Sequence, residues 1–259
     1  MQAKNGILVV SFGTSYADTR RRTLTAIETR VQACYPNLPV YSAWTSKMII
    51  KKIEKNTGEK ILTVTEALTL MAQDGITDVS IQPTHVINGI ENDCMKEDAN
   101  QLRHLFHSMQ FGTPLVSCTE DMRILIQTIA DTYQEVRKED ALILMGHGSE
   151  HHSNTVYAAL DYMCKEMGYP NIHVGTVEAY PTLANVLEFL KERPVKTLHL
   201  APFMIVAGDH AMNDMAGEEE NYWRSICERN GYRTICHLQG LGEIPAVQEL
   251  FIRHLKKIL

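Results

Sequence analysis

The sequence predicts an α/β fold built as two similar doubly wound lobes, each with a roughly four-stranded parallel sheet flanked by helices. Three observations carry that expectation. Short apolar, β-branched runs alternate with longer amphipathic stretches along all 259 residues, the pattern of repeated strand–helix units. The apolar runs are nearly continuous, as strands covered on both faces are. The chain also repeats itself. Ile7-Leu8-Val9-Val10-Ser11-Phe12-Gly13-Thr14-Ser15 is echoed by Leu142-Ile143-Leu144-Met145-Gly146-His147-Gly148-Ser149. Ile81-Gln82-Pro83-Thr84-His85 with Asn88-Gly89 is echoed by Leu200-Ala201-Pro202-Phe203-Met204 with Ala207-Gly208. The copies differ where it matters: Phe12 stands at the position of His147, and Glu91 at that of His210.

Taken in order, strands are expected at 7–11, 39–43, 77–82, 113–117, 141–146, 172–177, 195–201 and 233–237. Amphipathic helices are expected at 17–34, 45–56, 65–74, 90–109, 119–137, 153–167, 181–192, 213–230 and 244–258. Gly and Pro punctuate the joins at Pro36, Pro39, Gly75, Gly112-Thr113-Pro114, Gly168-Tyr169-Pro170 and Pro194. The first half carries a helical insertion, 45–75, with room for two helices where the second half has one. The charged segment Val136-Arg137-Lys138-Glu139-Asp140 precedes the restart of the repeat. It sets the expected lobes at 1–138 and 139–259, packed over a shared cleft. Whether the last helix crosses back to the first lobe is left open by the sequence.

Hydrophobic content of 44% and charged content of 22% are ordinary for a globular protein. A net charge of −6 and the lack of a basic run argue against a nucleic-acid partner. No apolar run is long enough for a membrane span. The N-terminus lacks the apolar core and small-residue cleavage site of a secretory signal, so a cytoplasmic location is expected. The six cysteines show no C-x-x-C pair and read as buried or half-buried free thiols rather than a disulfide framework or zinc cluster.

Ligands of open α/β sheets sit beyond the carboxyl ends of the strands, and the polar residues there are the candidates for function. His147 follows a buried run between two glycines, which permit a sharp turn and close approach of a ligand; its bland reading is a turn histidine bonded locally. Glu178 ends Val174-Gly175-Thr176-Val177-Glu178, and could equally cap the helix near Pro181. His210 lies in Gly208-Asp209-His210-Ala211-Met212-Asn213-Asp214, before a helix that Asn213 or Asp214 could cap, and could be a solvated loop histidine. Taken together, three sheet strands each deliver one donor-type side chain at the same rim. Two His and one Glu suit a divalent ion such as Co²⁺, Fe²⁺, Ni²⁺ or Zn²⁺ and leave coordination positions open. The same groups can act as bases. H-E-x-x-H is absent, and the other histidines read as surface or packing residues.

In the first half, Ser11, Phe12, Gly13 and Thr14 open a helix whose amides could meet an anion. G-x-G-x-x-G and G-x-x-x-x-G-K-[ST] are both missing, so a nucleotide cofactor is not supported. His85 reads as a substrate contact across the cleft or a structural hydrogen bond. Arg20-Arg21-Arg22 is a solvated face or a reach toward substrate carboxylates. Phe12, Phe203, Met204 and Met212 form either an apolar wall for a flat ring or core.

These motifs resemble the anaerobic-type sirohydrochlorin cobaltochelatases, the CbiK family of class II tetrapyrrole chelatases. The resemblance spans the chain. It rests on Val9 to Ser15, Gln82 to Gly89, Leu144 to Gly148, Val177 to Pro181 and Pro202 to Asp214. It implies a chelatase-like bilobal fold with the tetrapyrrole between the halves, and insertion of Co²⁺ into sirohydrochlorin or precorrin-2 on the anaerobic route to cobalamin, with release of two protons. It implies His147, Glu178 and His210 as metal ligands and catalytic residues; Ser11, Phe12, Gly13, Thr14 and His85 are then the candidates to face the macrocycle. No tightly bound cofactor is required; cobalt is a substrate, and Fe²⁺, Ni²⁺ or Zn²⁺ can take its place. A homo-oligomer is left open. The rivals are a sirohydrochlorin ferrochelatase, a nickel chelatase and a non-catalytic tetrapyrrole or metal carrier. A periplasmic binding protein would need a signal peptide.

Overall fold

The computed structural model describes residues 4–259. It separates into two compact units, one taking the chain up to Ser117 together with Pro245–Leu259, the other Cys118–Ile244.

The first unit contains strands β1 (Asn5–Ser11), β2 (Val40–Trp44), β3 (Asp78–Pro83) and β4 (Ser108–Phe111) in the order β2-β1-β3-β4, all parallel. Its helices are α1 (Ala17–Arg22), α2 (Leu24–Cys34), α3 (Lys47–Thr57), α4 (Val64–Gln73) and α5 (Ile90–Gln101). The expected insertion is therefore α3 and α4. Side chains of β1 alternate between faces. Leu8 and Val10 pack with Leu68 and Met71 of α4 and Met95 of α5, while Ile7 and Val9 join Val31 of α2 and Leu255. Burial on both faces is why β1 reads as an unbroken apolar run; each such side chain contributes about 1.5–3 kcal/mol.

The second unit contains β5 (Ala141–Gly146), β6 (Ile172–Thr176), β7 (Thr197–Pro202) and β8 (Arg233–Cys236), again parallel, in the order β6-β5-β7-β8. Helices α6 (Thr119–Thr132), α7 (Thr155–Glu166), α8 (Leu183–Leu190) and α9 (Trp223–Arg229) accompany it. Ile143, Met145, Leu198 and Leu200 pack with Leu187 and Leu190 of α8 and Trp223 and Cys227 of α9. The repeat holds at the level of register: Val10 pairs with Pro83 as Met145 pairs with Pro202.

The division differs from the expected 138/139 boundary at both ends of the second unit. Helix α6 packs on α7, with Arg123 bonded to Glu166 and Gln127 to Tyr169. The final helix, α10 (Pro245–Lys256), returns to α2 and β3 of the first unit, where Arg30 pairs with Glu249 and the His254 Nδ1 meets the Thr113 carbonyl.

Five other expectations need correction. Residues 113–117 are not a strand: Pro114 cannot donate to a ladder, and only Val116 bridges to Ile87. The edge strand, β4, takes the last two residues of the helix expected at 90–109 and the two that follow; its Ser-Met-Gln-Phe sequence lacks an apolar run because only Met109 is buried and Gln110 is exposed. The helix expected at 17–34 breaks at Thr23, whose hydroxyl donates to the Thr19 carbonyl. The helix expected at 213–230 is a π-turn, Ala211–Met215, followed by the short α9. All six cysteines are free, but Cys94 and Cys118 are exposed rather than buried. Among the described residues no helix is long and apolar enough to cross a membrane.

His85 follows β3 and is buried, and its pKa falls from 6.5 to about 4 because burial disfavours the imidazolium, against a weaker opposing pull from Asn92. The folded pKa lies below the unfolded one, so this contribution is intact above the unfolded value and is lost as pH falls from there toward the folded value. Between about pH 7.5 and about pH 5 the unfolding free energy should drop by about 2 kcal/mol through this group alone. Denaturant titrations at both pH values check this: His85→Gln should shrink the pH-dependent loss by that amount, and an unchanged loss would remove the assignment.

Candidate metal centre

Strand order in the second unit reverses at β5, which has β6 on one side and β7 on the other, so the carboxyl end of β5 is the switch point where α/β sheets bind ligands. His147 is the first residue after β5. Backbone pairing continues past the strand ends there. Val177 N donates to Gly146 O and Glu178 N to His147 O, both at 3.0 Å, and Phe203 N donates to Met145 O at 2.7 Å. The connections after β6 and β7 are thus held beside His147.

Gly148 has φ +88°, a left-handed conformation, and a Cβ there would stand 2.8 Å from Ala179 N. Only glycine lets the His147 turn lie against the Glu178 loop. Asn154 ties the same loops from the other side: its Oδ1 accepts from Ser149 N at 3.0 Å, and its Nδ2 donates to Tyr180 O at 2.7 Å. Thr176 donates through N and Oγ1 to the carbonyl of Pro181, whose bond to Tyr180 is cis. Helix α8 is capped by Thr182, which accepts from Asn185 N. Glu178 is therefore not the cap of that helix, and its carboxylate is left to the rim.

One donor atom from each of His147, Glu178 and His210 lies within 4.8 Å of the other two, the one such triplet among the described residues. The imidazoles of His147 and His210 meet edge to face with centroids 4.7 Å apart, and His147 Nδ1 is 3.7 Å from Glu178 Oε2. The side chains are 47%, 56% and 31% exposed for His147, Glu178 and His210, so the triplet is open to a ligand rather than sealed in the core. An ion with bonds of about 2.1 Å in tetrahedral geometry needs donors about 3.4 Å apart, a closure of roughly an ångström that side-chain rotation supplies.

His147 Nδ1 lies 2.8 Å from Gly148 O. A carbonyl only accepts, so Nδ1 carries the proton and the Nε2 lone pair is free. His210 Nδ1 lies 2.6 Å from Asp214 Oδ2. Asp214, a possible helix cap by sequence, instead sits in the π-turn one turn beyond His210 and meets its ring. The signal was present as the i,i+4 spacing of His and Asp.

The other candidates lie in the first unit. Ser11 is buried and its hydroxyl accepts from Thr84 Oγ1; Thr14 is buried and its Oγ1 accepts from Tyr16 N. Gly13, at φ +105°, repeats the geometry of Gly148 and packs on the Trp44 ring. Phe12, at the end of β1, is 42% exposed. Arg20 is engaged by Glu59 and stacks over Trp44. Of the residues weighed as an apolar wall, Phe203 is core, edge to face with Tyr157, while Met212 is exposed.

Comparison with known proteins agrees with this arrangement. The family described as cobalt chelatase (CbiK) matches residues 5–259. A sirohydrochlorin cobaltochelatase of Salmonella typhimurium is 38% identical over 256 residues, covering 99% of this chain and 97% of the relative. The sirohydrochlorin cobaltochelatase CbiKC of Nitratidesulfovibrio vulgaris is 31% identical over 255 residues, covering 97% and 89%. Among solved structures, SirB from Bacillus subtilis with Fe³⁺ superposes with a TM-score of 0.69 at 14% identity, covering 98% of this chain and 95% of SirB, which supports the fold. With residues 5–259 matched, its repeated parallel sheets and its near-full-length relatives, the chain belongs to the CbiK family of cobalt chelatases.

Proposed function

We propose that this protein inserts Co²⁺ into sirohydrochlorin, with His147, Glu178 and His210 as the donors that carry the ion to the ring. The observation that supports this most directly is the convergence of those three side chains within 4.8 Å at the end of the central strand. Two imidazoles and a carboxylate suit a borderline divalent cation and leave sites for the incoming pyrrole nitrogens. Affinity order alone does not choose cobalt over iron, nickel or zinc; the choice follows the names of the relatives.

In the reaction Co²⁺ replaces two pyrrole protons, so charge and atoms balance with two protons released. Holding ion and ring together removes the entropic cost of their encounter. As each donor lets go of the cobalt, its lone pair becomes free to take a pyrrole proton. Ser11, Phe12, Gly13, Thr14 and His85 are assigned to the macrocycle. In support, the first four lie at or just beyond the carboxyl end of β1, where α/β sheets bind ligands, and Phe12 offers an exposed apolar ring.

Mixing the protein with excess sirohydrochlorin and Co²⁺ and following the absorbance tests the reading. Turnover far beyond one equivalent is expected, and a plateau at one equivalent would make the protein a carrier. His147→Ala and His210→Ala should each lower the rate by roughly 100-fold or more, since disturbing a ligand's supporting contacts alone costs about 10–100-fold. Glu178→Gln should lose about 10-fold or more; an unaffected rate would remove Glu178 from the donor set. Gly148→Ala should cost about 1–3 kcal/mol through its left-handed backbone, read as a lower thermal midpoint together with reduced turnover.

A further inference from the structure

The two histidines of the site are held differently. His147 Nδ1 donates to a neutral backbone carbonyl, Gly148 O, at 2.8 Å. His210 Nδ1 meets a carboxylate, Asp214 Oδ2, at 2.6 Å. A charged acceptor gives a stronger hydrogen bond than a neutral one, fixes the ring's tautomer and makes the opposite nitrogen a better donor.

The segment that carries this pair is built to hold it. His210 precedes the π-turn Ala211–Met215, whose widened ladder is closed by Ala216 N donating to Ala211 O at 3.3 Å. Met212 N donates to Gly208 O at 3.0 Å, and Gly217 N donates to Asn213 O at 2.7 Å. Asn213 Nδ2 also donates to Asp209 Oδ1 at 3.0 Å, a second i,i+4 contact beside the first. Upstream, Leu241 N and Gly242 N donate to the carbonyls of Met204 and Ile205. Ala211 and Met215 are fully buried in the core, so the π-turn cannot swing away as a free loop. His210 and Asp214 are about one-third exposed on its outer side.

We propose that Asp214 is a positioning residue that makes His210 the anchoring ligand of the incoming metal, while His147, whose Nδ1 hydrogen-bonds a carbonyl and has a carboxylate no nearer than Glu178 Oε2 at 3.7 Å, is the donor that exchanges. Asp214 does not itself touch the ion. Its carboxylate locks the His210 Nδ1–H and leaves Nε2 aimed and electron-rich. Unequal donors give the transfer a direction: the ion stays on His210 while the His147 position is vacated for a pyrrole nitrogen.

This rests on the metal-site reading above, and the test separates the two. Co²⁺ is titrated into the intact protein without tetrapyrrole, following its visible d–d absorption and the heat of binding, and the rate is then measured against Co²⁺ at saturating sirohydrochlorin. Asp214→Ala should raise the Co²⁺ dissociation constant and the KM for Co²⁺ by about 10–100-fold, with kcat changed far less. Asp214→Asn is isosteric and its neutral amide oxygen still accepts from Nδ1, as Gly148 O does for His147, so it should keep the wild-type thermal midpoint and restore only part of that loss; full recovery would overturn the role of the charge. Unchanged Co²⁺ affinity and KM in both variants, with binding lost in His210→Ala, would overturn the role of Asp214 and leave the site intact. Wild-type Co²⁺ binding in His210→Ala would overturn the site itself. Equal fall of kcat in both variants with no change in KM for Co²⁺ would mark Asp214 as structural only, and would also overturn the proposal.

Discussion

The geometry of the site depends on one constraint, the hydrogen-bonded spacing of three neighbouring parallel strands. Adjacent strands lie about 4.8 Å apart. Side chains delivered from the same end of β6, β5 and β7 therefore start close enough for a short rotation to bring them round one ion. The ladder does not stop where the strands do: Glu178 N still bonds to His147 O, and Phe203 N to Met145 O. The backbone of the sheet thus sets the distance between His147 and Glu178, while His210, beyond the end of β7, is placed by the π-turn that follows it. A site built this way tolerates exposure, because its precision comes from a buried sheet rather than from a closed cavity.

Direction is set by a second layer of contacts, and these are all local. Gly148 lets the β5 turn lie against the β6 turn, Asn154 bonds both, and Asp214 fixes His210 within one π-turn. A π-bulge costs regular helical hydrogen bonding and persists mostly where function retains it. Here it places Asp214 beside His210 while Ala211 and Met215 stay in the core.

Much of this was legible in the chain. Strands β1, β3, β5, β6 and β7 are buried on both faces, so composition alone marks them, and the repeat fixes their equivalence. The convergence of His147, Glu178 and His210 was legible for the same reason: each follows a strand that cannot be mistaken. What escaped was whatever lacked an unbroken apolar run. Strand β4 is a short edge strand with polar alternation, and it straddles the end of an amphipathic stretch. The unit boundary escaped because α6 and α10 are amphipathic helices whose apolar faces carry no address; only the facing partner, α7 for one and α2 with β3 for the other, decides where they go. The role of Asp214 was not singled out by sequence, since an Asp near a helix start is ordinarily a cap.

The repeat also shows how little separates a scaffold from a site. Phe12 and His147 follow equivalent strands, and Gly13 and Gly148 follow them with left-handed backbones of φ +105° and +88°. Thr84 N bonds to Val10 O as Phe203 N bonds to Met145 O. Each sheet therefore ends in the same turn, with the side chain after the strand presented at the rim. In the first unit that side chain has no lone pair, and the ring offers an apolar face instead. In the second it is an imidazole with two matching donors on the flanking connections. On the metal-site reading proposed above, chemistry falls to one copy because a metal needs three donors at once, and a single exchange of Phe for His would not create the other two.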